Sequence, residues 1–178
     1  FGEKIKNIFY KPELNISIKP LFPYCNLTSF SSGQRAFFFR LEIINNGSAD
    51  ANNVQVYLNN VKFKGLDGNY NTCNHILPMN LMWSYQDNEP IKTSIAQVIS
   101  PGMKKYCDLI YTVENSNNCF LCTEVPILSY GRPSNWLDKG DYIANIIVFA
   151  SNSKAKTFSI PFEYKGFWST DAKDIIDI

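Results

Sequence analysis

The sequence predicts an all-β chain, an antiparallel β-sandwich of about eight to nine strands, and three observations predict it. Short runs with an apolar residue at every second position recur from end to end. Clusters of Gly, Asn, Ser and Pro separate those runs at short intervals, as they do in sandwiches. A helical apolar period is absent until the closing tail. The 178 residues are 45% hydrophobic and 19% charged, enough apolar material for one real core.

Taken in order, residues 1–11 form a lead-in that mixes Lys4, Lys6 and Lys11 with Phe1, Ile5, Ile8, Phe9 and Tyr10. Lysines and aromatics together suit a segment lying at the headgroup level of a membrane. Leu14, Ile16 and Ile18 then alternate between Pro12 and Pro20, which marks an edge strand. The central stretch runs from Phe37 to Leu58. Phe37, Phe39, Leu41 and Ile43 fall on one face of a strand, with Phe38, Arg40, Glu42 and Ile44 on the other. Asn45-Asn46-Gly47-Ser48 supplies a turn able to accept positive φ, and Val54, Val56 and Leu58 return on one face. Arg40 and Glu42 are expected on the solvent side.

Leu77, Met79, Leu81 and Trp83 alternate as a further strand, and Ile91–Ile99 gives another that ends at Ser100-Pro101-Gly102. There Pro101 fixes φ and Gly102 takes the left-handed position. Cys107, Leu109, Tyr111 and Val113 are expected on one face, followed by a polar hairpin tip at 114–118. Tyr142, Ala144, Ile146 and Val148 form a late strand, answered by Phe158, Ile160, Phe162 and Tyr164. The sandwich occupies residues 12–165, and 166–178 is a C-terminal tail.

Composition narrows the function. The formal charge is +1, with Lys and Arg scattered, so the concentrated basic stripe of a nucleic-acid groove is missing and no nucleic-acid partner is expected. No apolar run reaches the length of a bilayer span. His75 is the single histidine, and no serine motif, phosphate loop or H-E-x-x-H accompanies it, so the chain reads as a non-enzyme without a cofactor. Five cysteines are an odd count. They read as reduced thiols, with a local 119–122 or 73–119 disulfide as an alternative. Cys73, His75, Cys119 and Cys122 are zinc candidates, since two loops carrying Cys-x-His and Cys-x-x-Cys could close a tetrahedral site. Asp67-Gly68-Asn69 alternates oxygens like a calcium loop but lacks its closing glutamate, which favours a solvated turn. Tyr70, Tyr85, Tyr130 and Trp136 are loop aromatics. Of these, Tyr130 and Trp136, together with Arg132, are the candidate ligand or partner contacts.

FFFRLEIINNGSADANNVQVYL, LPMNLMWS, ISPGMKKYCDLIY and GDYIANIIVFASN…TFSIPFEYKG resemble the blocks of a family of uncharacterised prokaryotic domains. These are membrane-tethered immunoglobulin-like β-sandwiches, similar in style to the cell-adhesion-related (CARDB-like) modules of bacteria and archaea. Tyr10-Lys11-Pro12 matches their aromatic-x-Pro entry to the first strand. The resemblance implies an immunoglobulin-like fold and an N-terminal membrane anchor upstream of Phe1, and it carries no site residues. Gly140-Asp141-Tyr142 also resembles the corner at which a tyrosine starts a late strand and bonds back to the preceding loop. The expected function is a non-enzymatic module binding an unidentified protein partner. The alternative is a carbohydrate-binding module using its loop aromatics. The early lysines favour a membrane-anchored domain on the cytoplasmic face.

Overall fold

The computed structural model describes residues 10–84, 97–124, 135–178 and the strand pairs at 128–129 and 132–133. Two antiparallel sheets enclose one apolar core, so alternation in the sequence does translate into a β-sandwich. Along the chain come β1 (Leu14–Ser17), β2 (Cys25–Ser29), β3 (Arg35–Asn45), β4 (Ala51–Lys64) and β5 (Tyr70–Thr72). Next are β6 (Met79–Asn80), β7 (Met82–Trp83), β8 (Gln97–Ile99), β9 (Lys104–Val113) and β10 (Cys119–Leu121). The last third holds β11 (Leu128–Ser129), β12 (Arg132–Pro133), β13 (Trp136–Leu137), β14 (Gly140–Phe149) and β15 (Lys156–Tyr164). A short helix, α1 (Ala172–Ile175), and β16 (Ile176–Asp177) close it. The count exceeds eight or nine because short pairings of two to five residues flank five long strands.

The first sheet runs β1-β3-β9-β10-β13, with β2 continuing the β1 edge along β3 and β7 pairing with β9. The second runs β16-β15-β14-β4-β5, with β6 and β8 on β4. The 79–83 run changes sheets. Asn80 pairs with Tyr57 of β4, Met82 pairs with Asp108 of β9, and buried Leu81 makes the corner between them. The segment after Gly166 adds β16 to the β15 edge and sends Ile175 and Ile176 into the same core.

Phe37, Phe39, Leu41, Ile43, Val54, Val56, Leu58, Ile146 and Val148 are buried between the sheets, as their alternation requires. Phe158 is only half-buried, because β16 covers β15 only at Glu163 and Tyr164 and leaves β15 as the sheet edge at Phe158. Two β-bulges alter the faces that alternation predicts. On β9 the register steps from Phe39↔Ile110 to Arg40↔Asp108, so Leu109 and Ile110 both face the core. Tyr111 and Val113 therefore leave the face of Cys107 and join Ala36, Phe38 and Cys122 in a second cluster on the outer side. On β4 a matching step opposite Asn145/Ile146 carries the buried series from Leu58 to Val61.

The central turn works differently from its expected role. Gly47 is absent from the positive-φ glycines; a Cβ there would stand 2.3 Å from the Lys11 carbonyl oxygen and 2.4 Å from the Glu13 nitrogen. It is needed for close approach of the N-terminal strand, not for handedness. Asn45 ties the surrounding loops together. Its Oδ1 accepts from the Gly47 and Glu13 amides at 3.0 Å, and its Nδ2 donates to the Ala49 and Ile99 carbonyls at 2.8 Å. Gly102, with φ of 73°, does supply the left-handed position after Pro101, and Met103 N–H closes the turn on Ser100 at 3.0 Å.

Candidate functional site

The two sheets leave a seam where the β5 edge of one faces the β13 edge of the other. Here lies a cleft of about 420 Å³ lined by Phe63, Thr72, Cys73, Asn74, His75, Trp136, Leu137, Asp138, Lys139 and Tyr142. Trp136 and His75, far apart in sequence, stack with ring centroids 5.3 Å apart and planes 30° apart. The imidazole Nε2 donates to the Trp136 carbonyl at 3.1 Å, which fixes the ring against the indole. Phe63 lines the same cleft and is about 40% exposed, Tyr70 on β5 is exposed to the same degree, and Leu66 is fully exposed at the β4–β5 tip. Tyr142 forms the inner wall. Its ring stacks on Phe162 at 5.4 Å and its hydroxyl donates to the Asp138 carbonyl at 2.9 Å, the corner expected from Gly140-Asp141-Tyr142.

Of the residues nominated from sequence, the cleft gathers Trp136, His75 and Cys73. Tyr130 and Tyr85 lie outside the described residues, and Arg132 is described only as a β12 backbone position opposite Ser129. The zinc set does not converge. Cys119 belongs to the core between the sheets, whereas Cys122 belongs to the cluster on the outer face. A three-residue step along extended chain sends the two sulfurs to opposite faces, which removes both the chelating pair and the 119–122 disulfide. None of the five cysteines is bridged, and all are buried. Burial pushes the Cys73 thiol up to about 11 and the Cys25 thiol up to about 12, and raises Cys107 and Cys119 as well. Thiols so placed stay protonated at neutral pH and serve as small core residues.

The calcium-like turn is likewise closed on itself. The Asp67 carboxylate accepts from the Asn69 amide at 3.1 Å and from its side chain at 2.8 Å, while Gly68 takes a φ of 79°. Of the three tryptophans, Trp83 is buried in the core and Trp168 is half-buried under the Arg35 guanidinium, 4.7 Å from its ring. Trp136 lines the cleft.

Sequence reasoning missed a second feature, on the outer face of the first sheet. Arg40 and Glu42, expected in solvent, are 5% and 7% exposed. The β9 strand explains this by placing Asp108, Tyr106 and Lys104 in register beside them. Arg40 Nε donates to Asp108 Oδ1 at 3.0 Å, and the Ser84 hydroxyl donates to the same oxygen. Tyr106 Oη and Lys104 Nζ each reach Glu42 Oε2 at 2.9 Å, with Ser17 on Oε1 at 3.4 Å. The Tyr24 ring stands edge-on to Tyr106 over the group. Charges at alternate positions of Arg40-Leu41-Glu42 and of Lys104 to Asp108 were the available signal. Both carboxylates are committed to partners, so the cluster specifies the pairing of β3 with β9 and leaves no base free for catalysis.

The cluster also titrates. Burial alone would raise the Glu42 carboxyl, but hydrogen bonds from Lys104 and Tyr106 together outweigh it and hold the group below its ordinary value of 4.5. A depressed carboxyl contributes stability above its unfolded pKa, and that contribution disappears as pH falls through the folded value. Thermal melts from pH 7 to pH 3 should therefore show wild type losing stability below about pH 4.5, and Glu42→Gln losing less over the same window. Parallel slopes would mean that Glu42 is not held in this network.

No protein-family description matches the chain, and no curated protein matches it. Among solved structures it is similar to the X-ray structure of Northeast Structural Genomics Consortium target SoR45, at 12% identity, with 84% of each chain covered and a TM-score of 0.35. It is also similar to the crystal structure of a provisionally named ApaA protein from Bordetella pertussis, at 11% identity, covering 85% of this chain and 89% of that one, with a TM-score of 0.33. Likeness at this level bears on neither fold nor function.

Proposed function

We propose that this chain is a non-enzymatic, immunoglobulin-like interaction domain that binds a protein partner through the His75–Trp136 cleft. One observation carries the reading. A half-buried tryptophan, oriented by a stacked histidine, lines a cleft together with the exposed ring of Phe63. Aromatic anchors beside a preformed cleft are the usual source of binding energy at protein interfaces. The neighbour orders β1-β3-β9, with β7 on β9, and β15-β14-β4-β5 support the immunoglobulin-like assignment, as does the Tyr142 corner. A non-catalytic role is supported by protonated core thiols and by a histidine whose ring nitrogen is committed to a carbonyl.

Carbohydrate binding is the second reading, favoured by the same indole with Asn74 and Asp138 beside it. Trp136→Ala should weaken partner binding at least tenfold, the effect of truncating an interface anchor, while the melting temperature stays near that of wild type. A glycan array should give no saturable hit. A hit that vanishes in Trp136→Ala would replace the protein partner with a sugar.

Membrane tethering is part of the proposal. Lys11, Lys154 and Lys156 gather around a hollow of about 460 Å³ at the end of the sandwich where β1 begins, which suits an end turned toward anionic headgroups. The native thiols are buried and cannot report on sidedness, so Leu66→Cys at the exposed β4–β5 tip supplies a probe. In cells making the full-length protein, an impermeant maleimide should label that cysteine only after lysis. Labelling of intact cells would put the domain outside.

A further inference from the structure

Beside the cleft, and sharing Tyr142 with it, lies a shallower hollow of about 310 Å³ lined by Tyr70, Asp141, Pro161, Phe162, Glu163, Asp177 and Ile178. Its floor is a row across the second sheet. Asp141 of β14 is registered with Glu163 of β15, and Glu163 is registered with Asp177 of β16. Directly opposed residues of adjacent strands share a face, so three carboxylates stand side by side. Lys64, 3.5 Å from Asp141, is the nearest counter-charge among the described ion pairs, and its own neighbour in register is Tyr70. Like charges in direct cross-strand register cost stability. On a free surface such a row is a liability, whereas a basic partner laid along it would offset the repulsion.

We infer that the partner segment is an extended basic peptide, with an apolar or aromatic side chain seated in the His75–Trp136 cleft and lysine or arginine side chains over the Asp141–Glu163–Asp177 row. This rests on the cleft being the binding site and adds the chemistry of what it binds. The dimensions agree. Three neighbouring strands at about 4.8 Å spacing span roughly 10 Å, and an extended peptide places same-face side chains about 7 Å apart. Two basic residues at alternate positions therefore cover the row within the reach of their flexible stems. Tyr142 lines both the cleft and the hollow over the row, so the aromatic anchor and the first basic residue fall on either side of it. The net positive charge of the whole chain hides this local negative field, because the lysines around the 460 Å³ hollow lie at the opposite end.

The probes are three N-acetylated pentapeptides, Phe-Thr-Lys-Thr-Lys, its Gln-for-Lys counterpart and its Glu-for-Lys counterpart, titrated into the whole chain by calorimetry. The basic peptide should bind saturably and at least tenfold tighter than the neutral one, the acidic one should not bind, and the preference should shrink with added salt. The double variant Glu163→Gln/Asp177→Asn should lose the preference while melting no lower than wild type, since it removes a repulsion. Failure of the basic peptide to outbind the neutral one, or an unchanged preference in the double variant, overturns the inference. Loss of partner binding in Trp136→Ala but not in the double variant would leave the cleft assignment standing and remove this addition to it. No saturable binding by any of the three peptides also counts against it.

Discussion

Asp108→Ala is expected to destabilise the fold by about 3–5 kcal/mol, the cost of stranding a buried charge. Arg40 and Asp108 have side chains only 6% and 2% exposed, and the guanidinium is placed by β3 with no room to swing toward water. Removing the carboxylate also takes away the acceptor of the Ser84 hydroxyl, at the point where the 79–84 run joins the first sheet. The complementary variant separates burial from pairing. Replacing both partners with apolar residues, Arg40→Met with Asp108→Leu, should recover most of the loss, because the stranded charge rather than the missing attraction dominates. Urea melts of the two variants read the difference. A loss under about 1 kcal/mol for Asp108→Ala would mean that the pair is solvated in practice.

Asn45→Ala should cost about 3–4 kcal/mol, from four lost hydrogen bonds and the buried groups left without partners. Two amides and two carbonyls converge on one fully buried side chain, and they belong to the β1 entry, the 46–50 turn and the end of β8. Asn45→Asp is the sharper variant. It keeps the acceptor for the Gly47 and Glu13 amides but sets a charge against the Ala49 and Ile99 carbonyls. Its deficit should shrink as pH falls below the ordinary aspartate range of about 4, where a protonated carboxyl regains a donor. A deficit independent of pH would show that the two carbonyl contacts carry little of the stability.

Much of this fold was legible because period-two alternation maps directly onto sheet faces. Phe37, Phe39, Leu41 and Ile43 needed nothing but their spacing to be placed in the core. Alternation fails where a bulge adds a residue, and no local pattern marks Leu109–Ile110 or the Asn59–Asn60 step as such. Burial of Arg40 and Glu42 depended on what β9 places beside them, a non-local pairing that a single strand cannot announce. The Asn-Asn-Gly-Ser pattern points to φ freedom at Gly47, whereas its reason is a strand that approaches from more than thirty residues away. Cys-x-x-Cys is a chelating spacing only on a loop, and it is the pairing of β10 with β9 that makes the chain extended there and sends the sulfurs apart. Trp136 could be nominated as a loop aromatic, but its partner His75 and the seam between β5 and β13 exist only in three dimensions.

The claim that the β5–β13 seam is the recognition surface is tested most directly by photo-crosslinking in cells. A photoreactive amino acid replaces Tyr70 at the seam or, in a parallel strain, Leu27 on the distant β2 edge, both exposed positions in the free domain. Irradiation should give a discrete protein adduct from position 70, absent from position 27 and lost when Trp136→Ala is added to the position-70 strain. An adduct from position 27 alone, or a position-70 adduct indifferent to Trp136→Ala, would contradict the assignment.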